Sequence, residues 1–578
     1  MVMVVAVAAA ACGQEDVSHP PAPTVAGYCV DSVNGDDLAG ANDCTCEVSK
    51  NLSALKRGTP CRTIAAMTAK VPAGTPARVL LARDSSWREQ IVASALPNGS
   101  SVLAYGSGAR PILDAADVIP AAAWTKTAGR TNVYQATVNT GITPAGNRAG
   151  MGNRIWEDWT SGTAGRLAYV ADVATCDATP GSWTGPTRPT GGNDVFYVHA
   201  SDGSDPATSG KVYEWPARPY GVHGGQYPTD ASKLAEIRGV ETRRHGHHDG
   251  GILTATYAAD FRVDPGGAGP VDPSHGLWCN GGVCEDGETS SVISYGDDLP
   301  GVTVRRVRVT CSAPVGAAAP MGIFFHTSVI GGHHWGKMVY EDIEGPLPGT
   351  TTCTFLLGGG TAQHIVVIRP RALNDNVNTL ATYSHFTRLD VIGAQWVRHT
   401  AASDSWGVKV AAGATTNVRG GRFVTNRSFP SGVIYVDNAS GAVTLTGNSF
   451  AFVGALGGQY RSAFNFSGAA AATSTRNFYS NAARPYDLQA AVTGLTAENN
   501  VYDTAASQYV FQSVYRDWAA WQAFGFDTTG SVRQATTMAG DITTGNVAPT
   551  AASAAWTVGA GADAYGDAHL AEWVAAIP

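Results

Sequence analysis

At 578 residues the chain is long enough for several ordinary domains or for one elongated repeat core, so domain count has to be read from pattern. Charged residues make up only 15%, and a formal net charge of -8 with a pI near 5.9 leaves no basic stripe of the kind that displaces counterions from a polyanion, which excludes nucleic acid as a partner. The 68 glycines, with plentiful Ser, Thr, Asn and Ala, suit short strands joined by tight turns and point to an all-β chain.

Residues 1–27 read as an export segment and tether. Met1 to Ala11 is an apolar run too short to span a bilayer, ending in Ala-Ala-Ala-Cys12-Gly13 before a polar, Pro-bearing stretch. The pattern resembles a bacterial lipoprotein signal without its basic start, and makes Cys12 the lipidation candidate. Membrane contact is expected only through that lipid anchor. The ten cysteines fall into groups that suit an oxidising compartment: Cys29, Cys44, Cys46 and Cys61; Cys279 with Cys284; Cys311 with Cys353. Connectivity among the first four stays open, Cys12 and Cys176 are left over, and buried free thiols are the alternative. The expected location is extracellular or at the cell surface.

From 28 to 114 the chain shows a strand ending in Asn34-Gly35-Asp36-Asp37, then Pro60-Cys61-Arg62-Thr63-Ile64, then Val79-Leu80-Leu81 leading to Trp87-Arg88-Glu89. This opening resembles secreted and viral right-handed parallel β-helix proteins of the pectate-lyase-like superfamily, secreted carbohydrate-active or phage-spike in type. The resemblance implies an N-terminal helix, here over Thr63 to Ala69, that closes the open end of a solenoid whose edges would otherwise be exposed. Residues 115–235, with Trp124, Trp156, Trp159, Trp183 and Trp215, break the pattern and read as a β-rich insertion. Coiling is expected to resume near Ile237 and to fill residues 236–510 as the main solenoid. Comparable strand starts at Gly322, Thr354, Leu380, Gly407, Gly432 and Ala463 stand 25 to 32 residues apart, about one three-strand turn each. Within a turn, as in Val443-Thr444-Leu445-Thr446, apolar and polar residues alternate, and Asn448 and Asn500 suit the bends. Residues 511–578 read as a C-terminal cap; Trp518 to Asp527 resembles the segment that closes bacterial β-helix proteins.

Candidate chemistry centres on two histidine-rich stretches. The first, Arg243-Arg244-His245-Gly246-His247-His248-Asp249, offers His245, His247, His248 and Asp249 for acid–base work, metal binding or hydrogen bonds to sugar hydroxyls. The second runs from His326 through His333, His334, Trp335 and Lys337; His334 joins the catalytic candidates, and His326, His333, Trp335 and Lys337 are substrate-binding candidates, with Trp335 able to stack on a pyranose ring. A solvated turn and a loop around a core aromatic are the bland alternatives. A lyase needs a cation for a uronate carboxylate, either Ca2+ or Arg/Lys, together with a base; Arg388, His385 and Arg398 with His399 are available for this. The acidic pairs Asp297-Asp298, Glu341-Asp342 and Asp286 with Glu288 offer a weaker glycosidase reading, because adjacent strand residues point to opposite faces. The catalytic motif series of polygalacturonases and pectate lyases is missing, so no family role transfers to any position. No cofactor is assigned outright, and Ca2+ is the one left open.

Three functions follow as expectations. The first is a polysaccharide-binding surface protein, a polysaccharide lyase or glycoside hydrolase if catalytic, acting in a groove along the solenoid. The second is a homotrimeric virion spike recognising host surface glycan from the virion surface. The third is a structural or adhesive protein whose Trp-rich insertion makes the contacts.

Overall fold

Alternation along Val443–Thr446 puts Val443 and Leu445 fully inside while Thr444 and Thr446 remain half-buried outside, and the same arrangement recurs coil after coil. The computed structural model describes most of residues 24–244, leaving out 38–42, 140–152, 161–164, 188–189, 191, 219–220, 225–233 and 235. It then describes the strands and many bends between 252 and 549, with 560 and 567–576; beyond Arg244 its side chains are described mainly from Val339 onward. The strands wind as a parallel β-helix with three faces. The first face runs from Thr24–Val30 and Arg78–Ala82 to Gly494–Glu498, and the third from Ile91–Val92 to Tyr509–Phe511. Among the described residues the second face forms two blocks, Ser86–Trp87 to Arg308–Cys311 and Arg371–Ala372 to Val532–Arg533. The expected repeat belongs to the third face, where Met321–His326, Cys353–Leu357, Val377–Thr382, Trp406–Ala411, Ile434–Asp437 and Ser462–Phe466 are successive parallel neighbours.

From Trp335–Glu341 to Gly494–Glu498 the bend after each first-face strand has a common mechanism. Asp342, Arg369, Gly393, Gly420, Gly447, Arg476 and Asn499 adopt left-handed conformations with φ between 49° and 65°. The N–H of Arg369, for example, donates to the Ile392 carbonyl at 2.7 Å, and that of Gly393 to Arg419 at 2.8 Å. Inside the later bends Asn448, Asn477 and Asn500 form a fully buried ladder. Each side-chain oxygen accepts from the backbone of the preceding coil, as Asn477 Oδ1 does from Asn448 N at 2.9 Å and Asn500 Oδ1 from Asn477 N at 2.9 Å. Their amides donate back to the Val418, Leu445 and Ser474 carbonyls. This satisfies polar groups that would each cost about 1–3 kcal/mol if buried alone. Asp527 ends the ladder, accepting from Asn500 Nδ2 at 2.9 Å, Tyr502 Oη at 2.6 Å, Trp521 Nε1 at 3.0 Å and Ser531 Oγ at 2.6 Å. Beside it Phe423, Phe450, Tyr479 and Tyr502 stack on consecutive coils, with centroids 5.1 to 5.3 Å apart.

At the other end the helix Ile64–Thr68 begins where the Thr63 side chain accepts from Ala66 N at 3.1 Å. It buries Ile64 and Met67 in one core with Val30, Val79 and Leu81. Disulfides join Cys29 to Cys46 and Cys44 to Cys61, resolving the connectivity left open for these four. Cys176 is a buried free thiol, while Cys12 lies outside the described residues. Cys279 and Cys284 occupy adjoining first- and second-face strands. Cys311 ends a second-face strand, and Cys353 opens the third-face strand one coil later. On their grouping in the sequence, non-reducing peptide mapping is expected to recover Cys311 joined to Cys353; recovery of both as free thiols would remove that pair.

The insertion begins after the second-face strand Ile112–Asp114. The chain re-enters the solenoid at Val222–His223, parallel to Ile91–Val92, earlier than the expected Ile237. In between, Ala116–Ile119 pairs with Tyr213–Pro216, and Trp124–Lys126, Tyr134–Asn139, Asn193–His199, Ser182–Thr184 and Ala168–Tyr169 make a five-stranded sheet. Trp124, Trp156, Trp183 and Trp215 are buried, three of them in a core with Phe196 and Tyr213. These side chains pack the insertion, while Trp159 is half-buried. The helix Asp567–Ala575 returns to the middle of the solenoid, where Val574 packs on Val339, Val366 and Ile368 of the first face.

Candidate functional site

On the first face Thr361–Ile368, His385–Ile392 and Thr415–Arg419 lie side by side. Ile365, Val367, Leu389, Val391 and Val418 point into the core, so by alternation His364, Arg388, Asp390 and Asn417 stand on the outer surface. Register places Lys337, His364 and Arg388 opposite one another on three successive coils, with Val366, Asp390 and Asn417 in the next row. Successive coils repeat at roughly 4.8 Å, which brings together side chains that the sequence separates by a whole turn.

Asp390 is the hub. Its Oδ2 meets His364 Nε2 at 2.6 Å and accepts from Arg388 Nε at 2.7 Å; its Oδ1 accepts from Asn417 Nδ2 at 2.9 Å and Arg388 Nη2 at 3.2 Å. Burial alone would push the carboxyl up, but the His364 and Arg388 hydrogen bonds and the Arg388 charge outweigh it and hold Asp390 at about 2. The Asp390 side chain is only 1% exposed, against 33% for Arg388, so a fixed, buried anion orients groups that reach solvent. With Nε2 held on the carboxylate, the other imidazole nitrogen of His364 is the one available to take a proton, and Arg388 supplies a cation beside it.

The expected residues are distributed unevenly around this cluster. Arg388 belongs to it, and Lys337 shares its column by backbone register. Trp335 lies two residues before Lys337 on the same first-face strand, opposite Ala362, whereas His326 ends a third-face strand beside Tyr295. His326 and Trp335 thus flank one connection on different faces. His385 opens the strand that carries Arg388, and Arg398 ends the second-face strand Gln395–Arg398. His245, His247, His248, Asp249, His333, His334, His399, Asp297, Asp298 and Glu288 lie outside the described residues, and Asp286 is placed only as part of the strand Val283–Gly287. Glu341 and Asp342 both bind Arg369, at 2.7 and 2.6 Å, in the bend between the first and second faces. Among the described residues no three His, Cys, Asp or Glu side chains gather into a cation site.

Sequence reading missed His364, Asp390 and Asn417. His364 opens a run that reads as a plain apolar rung, and Asp390 interrupts another, each 26 or 27 residues from its partner. A polar residue at an outward position of an otherwise apolar rung was the available signal.

No family model matches the sequence, and no curated protein matches it. Two solved structures are similar in chain path: that of XylC in complex with xylose, 8% identical over 88% of this chain and 87% of that one, with a TM-score of 0.43, and a glycoside hydrolase, 8% identical over 88% and 96%, with a TM-score of 0.36. At these values neither transfers any chemistry to this chain.

Proposed function

We propose that this chain is an extracellular protein that binds an acidic polysaccharide along the outer surface of the first face. The observation that carries the reading is the His364–Asp390–Arg388 cluster, built across consecutive coils so that an extended polymer crossing them follows the register position shared by Lys337, His364 and Arg388. Arg388 matches a uronate carboxylate in charge and shape, and the disulfides of the first coils suit an oxidising location. In a direct test, His364→Ala and Arg388→Ala are each expected to weaken binding to a uronate polysaccharide tenfold or more, with far-UV circular dichroism unchanged and no binding to a neutral glucan in any form of the protein. Equal binding by wild type and both variants would overturn the assignment.

The orientation of His364 by a buried carboxylate favours a second reading, β-elimination. Arg388 would neutralise the uronate carboxylate, His364 would take the proton from C5, and the C4–O bond would break to leave an unsaturated sugar, with the departing oxygen protonated from solvent.

A further inference from the structure

We infer that a second anion site lies where the first face bends into the second, in a cleft of about 280 Å³ lined by Asp342, Arg369, Arg371, Gln395, Arg422 and Leu570. It rests on the proposed reading, since it takes the carboxylate of another uronate of the same polymer. Its chemistry differs from that of the His364 cluster. Arg369 is committed to the bend: its Nε donates to Asp342 Oδ1 at 2.6 Å, and its Nη2 to Asp342 Oδ2 at 2.8 Å and Glu341 Oε1 at 2.7 Å. The hydrogen bonds to Asp342 and the carboxylate charges of both partners hold the Arg369 guanidinium well above its ordinary value, so it remains a fixed cation.

Arg371, Gln395 and Arg422 occupy one column of the second face on three successive coils. Their backbones therefore span roughly two strand spacings, about 10 Å. Arg371 is exposed and its Nε donates to Gln395 Oε1 at 3.2 Å, which aims a guanidinium and an amide along the same edge. Arg369 is matched by Asp342 and Glu341, so the guanidinium offered to a ligand is that of exposed Arg371, with Arg422 in the same lining, and planar guanidinium favours a planar oxyanion. The apolar wall is Leu570 of the C-terminal helix. Gly393 keeps the floor low, since a Cβ there would come within 3.0 Å of Leu570 Cδ1 and 3.3 Å of Arg369 Cγ. The volume sits near the lower end of ligand pockets, about 300–1,000 Å³, and suits one acidic sugar unit.

The test is calorimetric titration of the full chain with oligogalacturonate and with its methyl ester, which keeps the backbone and removes the charge. The Arg371→Gln/Arg422→Gln variant is expected to bind oligogalacturonate at least tenfold more weakly than wild type, with a shallower salt dependence and an unchanged melting temperature. Arg371→Gln alone, at an exposed position, should give part of the loss and covers the case in which the double variant folds poorly. Unchanged affinity in both variants, with His364→Ala still weakened, would overturn the cleft and leave the first-face reading standing. Weakening in the arginine variants with His364→Ala unaffected would do the reverse. Equal affinity of wild type for the acid and its ester, or no binding of either, would overturn the cleft.

Discussion

Replacing Asp390 with alanine is expected to destabilise the protein by roughly 2–4 kcal/mol and to abolish most of its affinity for acidic polysaccharide. The side chain is 1% exposed and accepts from His364, Arg388 and Asn417, so its removal leaves three polar groups without their shared acceptor and releases the imidazole and guanidinium from their orientation. Asp390→Asn, nearly the same shape, separates the charge from the packing through pH. The folded carboxyl sits at about 2, below its ordinary 3.8, so the unfolded chain takes up the proton first as the solution is acidified. Its stabilisation, about 2 kcal/mol, is therefore complete above the ordinary value and lost as pH falls through about 2. Melting temperatures of wild type and Asp390→Asn should converge over that window and stay apart at neutral pH. A constant difference from neutral pH down to 2 would show that the carboxylate is not held by charge.

The second large effect is expected at Arg244, where the insertion meets the solenoid. Its guanidinium, 2% exposed, holds Asp114 of a second-face strand through Nη2 at 2.5 Å and Nε at 3.1 Å, and also grips Glu214 of the insertion strand Tyr213–Pro216. Arg88 reaches the same Glu214, and the Trp159 ring lies 4.3 Å from the guanidinium carbon of Arg244. Burial pushes Glu214 up, but hydrogen bonds from both arginines prevail and keep it below the usual carboxylate range. Arg244→Ala would strand the carboxylate of Asp114 and leave that of Glu214 to Arg88 alone, a loss of about 3–5 kcal/mol. Thermal unfolding measures it, and hydrogen exchange should rise first across 116–216. A change smaller than about 1 kcal/mol would mean that water already reaches the pair.

The fold was legible because solenoid coils are local in sequence. Each strand carries its own alternation, and six strand starts at near-regular spacing turned out to be consecutive neighbours on one face. Asn448 and Asn500 stood out as bend residues because a buried amide can satisfy backbone groups that no strand reaches. The candidate site was less legible because it is assembled from different coils. His364, Asp390 and Asn417 come from three coils, and an irregular period hides which residues share a column until the register is known. Arg388 was found by its charge, but its partner was not, since one Asp in an apolar strand reads as an interruption. Three of the insertion's tryptophans serve its core, because a small sheet packing on a solenoid flank needs large apolar side chains of its own.

The central claim is most directly tested by incubating the purified protein with a panel of uronate and neutral polysaccharides while recording binding, new reducing ends and the ultraviolet absorbance of an unsaturated uronide. The account predicts binding confined to the uronate polymers, lost in His364→Ala and Arg388→Ala, with absorbance rising alongside new reducing ends where elimination occurs. Binding to neutral polymers alone, or retention of uronate binding by both variants, would contradict it.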